Sequence, residues 1–190
     1  MSDFEFVFAL YSLLLGLSMV EVLGGLGRAL EARFAAEATR ERFAIGWLTP
    51  LLAVFVMLDL LSFWQAAWTL RGSIAVNGST LMGVAAFASL YFLAARLVFP
   101  SHPEGFTDLD THYFRVRRVV LALLLVLLVA QLGFYLSQPP LAAMFADPRI
   151  WGTTLVLILL MLAAMWVRST RASIAILSLL VARYVIVYLL

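Results

Sequence analysis

The chain contains no cysteine and no lysine. Without thiols it can form no disulfide, offer no thiolate to a metal and run no thiol redox chemistry. All 13 basic residues are arginine, which we read as genome composition rather than mechanism. Charge of either sign is scarce. Only 13% of residues are charged and 64% are hydrophobic, whereas a soluble domain carries about 25% charged residues. So few charges cannot cover a surface that faces water. The net charge of +2 is also too small for a nucleic-acid partner. The arginines stand at the ends of apolar runs and form no stripe, which is the pattern of membrane topology.

Catalytic signatures are missing as well. There is no G-x-S-x-G and no H-E-x-x-H, and no pair of intramembrane histidines that could hold a haem. No catalytic residue is assigned, and the sequence leaves any cofactor unknown. The first residues, MSDFEF, carry no basic stretch, and no small-residue cleavage site follows the first apolar run. That run is therefore expected to stay as a membrane span.

What the sequence does have is long apolar runs. A spanning helix needs about 20 mainly apolar residues. Six stretches qualify, at 5–27, 45–69, 79–99, 114–137, 150–167 and 172–190. None alternates as a barrel strand does, and in lipid a helix satisfies its own backbone. The expected fold is an all-α integral membrane protein, one six-transmembrane-helix domain over 1–190. Its partners are the lipid bilayer and either further copies of itself or another membrane protein. Its expected place is the bacterial cytoplasmic membrane.

The connections sort by charge. The first, third and fifth hold Arg28, Arg33, Arg40, Arg42, Arg96, Arg115, Arg117, Arg118, Arg168 and Arg171, whereas the other side holds only Arg71 and Arg149. Positive charge stays inside, so both termini are expected on the non-cytoplasmic side. Trp68 and Trp151 mark the outer interface and Trp47 and Trp166 the inner one. The segment RALEARFAAEATRER alternates acid and base and is expected to prolong the first helix beyond the bilayer. QPPLAAMFADPR is broken by proline, and RSTR closes a tight hairpin between the last two spans.

Four ionisable residues fall inside spans: Glu21, Asp59, Arg96 and Arg183. Each costs about 2.5–3.5 kcal/mol near the bilayer centre and calls for a partner inside the bundle. A rise of about 1.5 Å per residue places Glu21 and Arg96 roughly 7–10 Å toward the cytoplasm, and Asp59 and Arg183 within about 5 Å of the midplane. Depth thus pairs Glu21 with Arg96 and Asp59 with Arg183. A protonated Asp59 is the other solution. Such pairs either fix helix packing or move protons or ions. Gln65 and Gln131 add polar atoms that can bond across helices. Gly24, Gly25 and Gly27 permit close approach beside Glu21 or loosen the helix end.

Two local echoes suggest a 3+3 inverted repeat. WLTPLLAVFVML resembles WGTTLVLILLML, and LAARLVF resembles LVARYVI, which sets Arg96 against Arg183. The third connection holds both histidines. His102, Asp108 and His112 form a candidate metal set, with Asp108 and His112 four residues apart. The competing account has Thr107 capping a helix whose N-terminal end Asp108 and Asp110 favour. Three functions are weighed. The leading one is an ion- or proton-linked transporter or channel using Asp59, Glu21 and Arg183. The second is an accessory subunit of a larger membrane assembly, and the third an enzyme acting on lipid through Asp108, Asp110 and His112.

Overall fold

The computed structural model describes residues 3–39, 42–69 and 77–189. Arg40, Glu41 and Arg71 of the charge pattern lie outside the described residues. The protein is helical: α1 (Asp3–Thr39), α2 (Leu48–Thr69), α3 (Gly78–Val98), α4 (Leu109–Ser137), a single turn α5 (Pro139–Ala142), α6 (Pro148–Trp166) and α7 (Thr170–Leu189). Among the described residues, all but α5 are long and apolar enough to cross a membrane, six helices in total.

Local sequence explains the helix starts. Asn77 caps α3, its side chain accepting from Thr80 N at 2.9 Å. The tetrapeptide NGST is therefore a helix start. Asp147 caps α6 ahead of Pro148, whose missing N–H costs nothing in a first turn. Asp108, not Thr107, caps α4 by accepting from Asp110 N at 2.8 Å. That cap starts α4 at Leu109, about a turn before the apolar run expected at 114. The proline-broken segment becomes α5 and a 3-10 turn over Ala143–Ala146, closed where Trp151 Nε1 donates to Phe145 O at 2.9 Å.

α1 has 37 residues, about 55 Å of helix against a hydrocarbon core of about 30 Å. Its last turns must leave the bilayer, as their alternating charge implies. Arg33 and Glu37 form an exposed i,i+4 ion pair there at 2.7 Å.

α2 is the central helix. It packs against α1, α3, α4 and α7, while α1–α3, α3–α4, α4–α6 and α6–α7 contacts surround it. Each helix buries a narrow face, such as Ala88, Tyr91, Ala95 and Val98 of α3. The outward faces stay apolar: Leu13, Val20, Val126 and Leu155 are all more than half exposed. Apolar outside as well as inside is what a helix in lipid needs. Trp47, Trp68, Trp151 and Trp166 are exposed too.

One end of the bundle is tied by its backbone. Ala44 N donates to Thr107 O and Leu109 N to Ala44 O, each at 3.0 Å, joining the first and third connections. Asp110 Oδ1 accepts from Leu48 N at 2.9 Å, and Thr49 Oγ1 donates to Leu109 O at 2.8 Å. Asp110 of α4 thus caps the start of α2, and Thr49 of α2 ties back to the start of α4. Gly46 makes the turn with φ 68°, and a Cβ there would fall on the Asp110 carboxylate. The end of α6 closes on the same region. Buried Arg117 donates Nη1 to Ala164 O at 3.1 Å and to Val167 O, and Arg118 Nε reaches Met165 O at 3.3 Å. These arginines meet the unpaired carbonyls and negative end of α6.

Candidate functional site

The two intramembrane carboxylates have different surroundings. Glu21 Oε1 accepts from Arg96 Nη1 at 2.8 Å and from Arg28 Nη2 at 3.2 Å. Arg96 Nη2 goes on to Ser101 Oγ at 2.9 Å. The pairing of Glu21 with Arg96 is therefore present, and Arg28, seven residues along α1, joins it. Of the three glycines, Gly25 serves this contact. A Cβ on Gly25 would stand 2.6 Å from the Cβ of Phe99, so α1 and the end of α3 touch backbone to side chain.

Asp59 does not meet Arg183. Asp59 is 5% exposed, and its carboxylate takes two phenols. The Tyr184 hydroxyl lies 2.5 Å from Oδ1, and the Tyr91 hydroxyl 3.2 Å from Oδ2 and 2.6 Å from Val56 O. Arg183 donates Nε to Thr153 O at 3.3 Å and lies over the Tyr184 ring at 5.0 Å. No ion pair joins it to Asp59. The reason is azimuth. On α7 the buried positions run Ser173, Leu177, Leu180, Tyr184, a 4-3-4 spacing that defines one face. Arg183 is about 100° away from that face. The same stripe, read from the sequence, would have nominated Tyr184, and its counterpart on α3 would have nominated Tyr91.

The arrangement can hold a proton. A phenol carries one hydrogen. With Asp59 ionised, Tyr91 and Tyr184 can both donate to it. With Asp59 protonated at Oδ2, Tyr91 can turn its hydrogen to Val56 O and accept from the acid. One hydroxyl rotation satisfies both states, so neither leaves a buried polar atom unpaired.

Above this cluster, toward the end opposite the arginines, lies a cleft of about 440 Å³ between α1, α2, α3 and α4. Phe63 and Phe87 line it, and their rings meet edge to face at 5.0 Å. Phe63 also packs edge-on against Tyr91 at 5.7 Å. The wall of the cleft is thus one ring away from a tyrosine that bonds Asp59. Neither Asp59 nor Glu21 lines the cleft. Gln131 does, donating Nε2 to Tyr135 OH at 3.0 Å. Gln65 is exposed on α2 and bonds none of the described residues.

The candidate metal set is spread over different tasks. Asp108 caps α4. His112 is buried, with Nε2 3.2 Å from Leu97 O and its ring edge-on to Phe106. His102 is exposed beside Glu104, at 3.4 Å. Among the described residues no three histidine or carboxylate side chains stand together to hold a metal. Asp110 is engaged at the start of α2, so the lipid-enzyme set is likewise occupied in joining helices.

No family model matches the chain, and no curated protein or solved structure matches it.

Proposed function

We propose that this chain is a proton-linked membrane carrier for a small, uncharged, largely apolar molecule. The cleft between α1 and α4 is the substrate site and Asp59 the protonatable group. The observation that carries this reading is the pair of tyrosines around Asp59, which accommodates either protonation state, one aromatic ring from the cleft. Ionisable groups within spans are commonly functional. Because both carboxylates stand away from the cleft, the reading is of a carrier and not an ion channel.

In this reading both termini lie on the non-cytoplasmic side, the arginine-rich end faces the cytoplasm, and the protein works in the cytoplasmic membrane as a homo-oligomer. It does not need the inverted repeat, since Arg96 and Arg183 have unlike partners.

The test uses proteoliposomes that enclose a pH-sensitive dye. Uncharged amphipathic candidates are added outside and proton movement is followed. Wild type moves protons with one of them, and Asp59→Asn does not. Equal behaviour of Asp59→Asn and wild type, or no proton movement with any candidate, overturns the reading.

The second reading, an accessory subunit, is favoured by a different observation. Glu21 is held by two arginines and Asp59 by two tyrosines, an arrangement that also suits pure helix packing. Co-purification with one defined membrane protein, together with a silent Asp59→Asn, supports it.

A further inference from the structure

We infer that the α1–α4 cleft binds a flat, uncharged ring compound bearing a carbonyl oxygen, of the quinone class. The inference takes the cleft as the ligand site, as the carrier reading does, and adds the chemistry of the ligand.

Three observations define that chemistry. First, no charged side chain is among the described residues that line the cleft. A charged ligand would lose its hydration there without gaining a counter-charge. Second, the walls carry the rings of Phe8, Phe63, Phe87 and Phe134. Aromatic walls favour a flat ring by stacked or edge-on contact. Third, two phenol hydrogens in the cleft are unused. Tyr11 is 7% exposed, yet its hydroxyl bonds none of the described residues. Tyr135 accepts from Gln131 Nε2 and donates to none of the described residues.

Tyr11 and Tyr135 both line the cleft, so a guest that accepts their hydrogens gains a hydrogen bond from each. Both groups offer a hydrogen, so the guest they suit brings an acceptor. A ketone oxygen on a flat ring meets the donors and the walls together. Space exists for it: a Cβ on Gly83, which lines the cleft, would meet no atom within 4 Å. A bound quinone would also be reported optically. Trp64 and Trp68 pack on the Phe8 ring at 6.1 and 5.4 Å, close enough for a quinone in the cleft to quench their fluorescence.

The experiment titrates the purified full chain in detergent micelles with a decyl-substituted benzoquinone and follows tryptophan fluorescence. Saturable quenching is expected. Tyr11→Phe and Tyr135→Phe, which remove only a hydroxyl, each weaken the apparent affinity about tenfold, as loss of one hydrogen bond implies. Gly83→Leu fills the cleft and abolishes saturation, while its thermal unfolding in the same micelles stays near that of wild type. Asp59→Asn keeps the binding, which separates ligand recognition from proton coupling. Binding without proton-linked movement leaves this inference standing and removes the carrier. Proton movement driven by other uncharged compounds, with no quinone binding, does the reverse. Quenching that rises linearly reports partition into the micelle and overturns the inference. So do unchanged affinities in the two tyrosine variants, or equal displacement by an uncharged diacylglycerol, which would make the guest a lipid ester.

Discussion

The hydroxyl of Tyr184 stands 2.5 Å from the Oδ1 of Asp59, across 125 residues of sequence and between two helices. The central helix and the last helix are thus joined at a buried carboxylate by a phenol, and the neighbouring guanidinium of Arg183 makes no ion pair with it.

Removing that phenol leaves Asp59 with Tyr91 alone. Tyr184→Phe is expected to cost about 1–3 kcal/mol, the penalty for a buried acceptor left short of a partner. Arg183→Gln should cost less than about 1 kcal/mol, since its one polar contact is a long bond to a carbonyl and it forms no ion pair. Unfolding in mixed detergent and SDS micelles measures both. The opposite order would restore Arg183 as the true counter-charge.

The Glu21 cluster is unequal by construction, with one carboxylate between two guanidinium groups. Arg28→Gln and Arg96→Gln each leave Glu21 one cation and should cost about 1 kcal/mol or less, because all three groups are partly open to solvent. Glu21→Gln sets Arg28 and Arg96 against each other and should cost more than either. Stability of the three single variants, measured side by side, checks the ranking.

At the tied end of the bundle, Gly46→Ala should be among the most disruptive single-methyl changes. It forces a side chain into positive φ and onto the Asp110 carboxylate that caps α2. A cost of about 2–4 kcal/mol combines backbone strain with a lost cap. Gly27→Ala, at a position where a Cβ meets no atom within 4 Å, should be near neutral or slightly stabilising. Comparing their unfolding midpoints tests the pair.

Buried Arg117 holds the end of α6 through its last carbonyls. Arg117→Met preserves bulk but leaves those carbonyls unpaired, and a loss of about 2–4 kcal/mol follows. Faster hydrogen exchange confined to the α6–α7 hairpin would accompany it. Uniform exchange across all spans would place the role of Arg117 elsewhere.

Much of this architecture was legible because hydrophobic length is a one-dimensional signal. Six runs became six helices, and the alternating charges after Arg28 became the tail of α1. Depth is one-dimensional too, and it paired Glu21 with Arg96 correctly. It paired Asp59 with Arg183 wrongly, because two residues at equal height still need to face each other. The buried stripe Ser173, Leu177, Leu180, Tyr184 held that second coordinate. In a helix apolar all round, the stripe is hard to separate from its lipid-facing neighbours. The tie of Ala44 to Thr107 and Leu109 was less legible still. It joins two connections far apart in sequence through backbone atoms, which no side-chain pattern announces. The cleft was invisible for a related reason: Val84, Phe87 and Ala130 look alike whether they line a space or fill one.

The central claim is that Asp59 exchanges a proton while Tyr91 and Tyr184 follow it. Infrared difference spectroscopy of the protein in lipid, over a rising pH series, tests this most directly. A protonated-carboxyl band should disappear across that series together with a shift of tyrosine modes, and Asp59→Asn should abolish both changes. A carboxyl signal that stays constant, or a titration that persists in Asp59→Asn, would contradict the account.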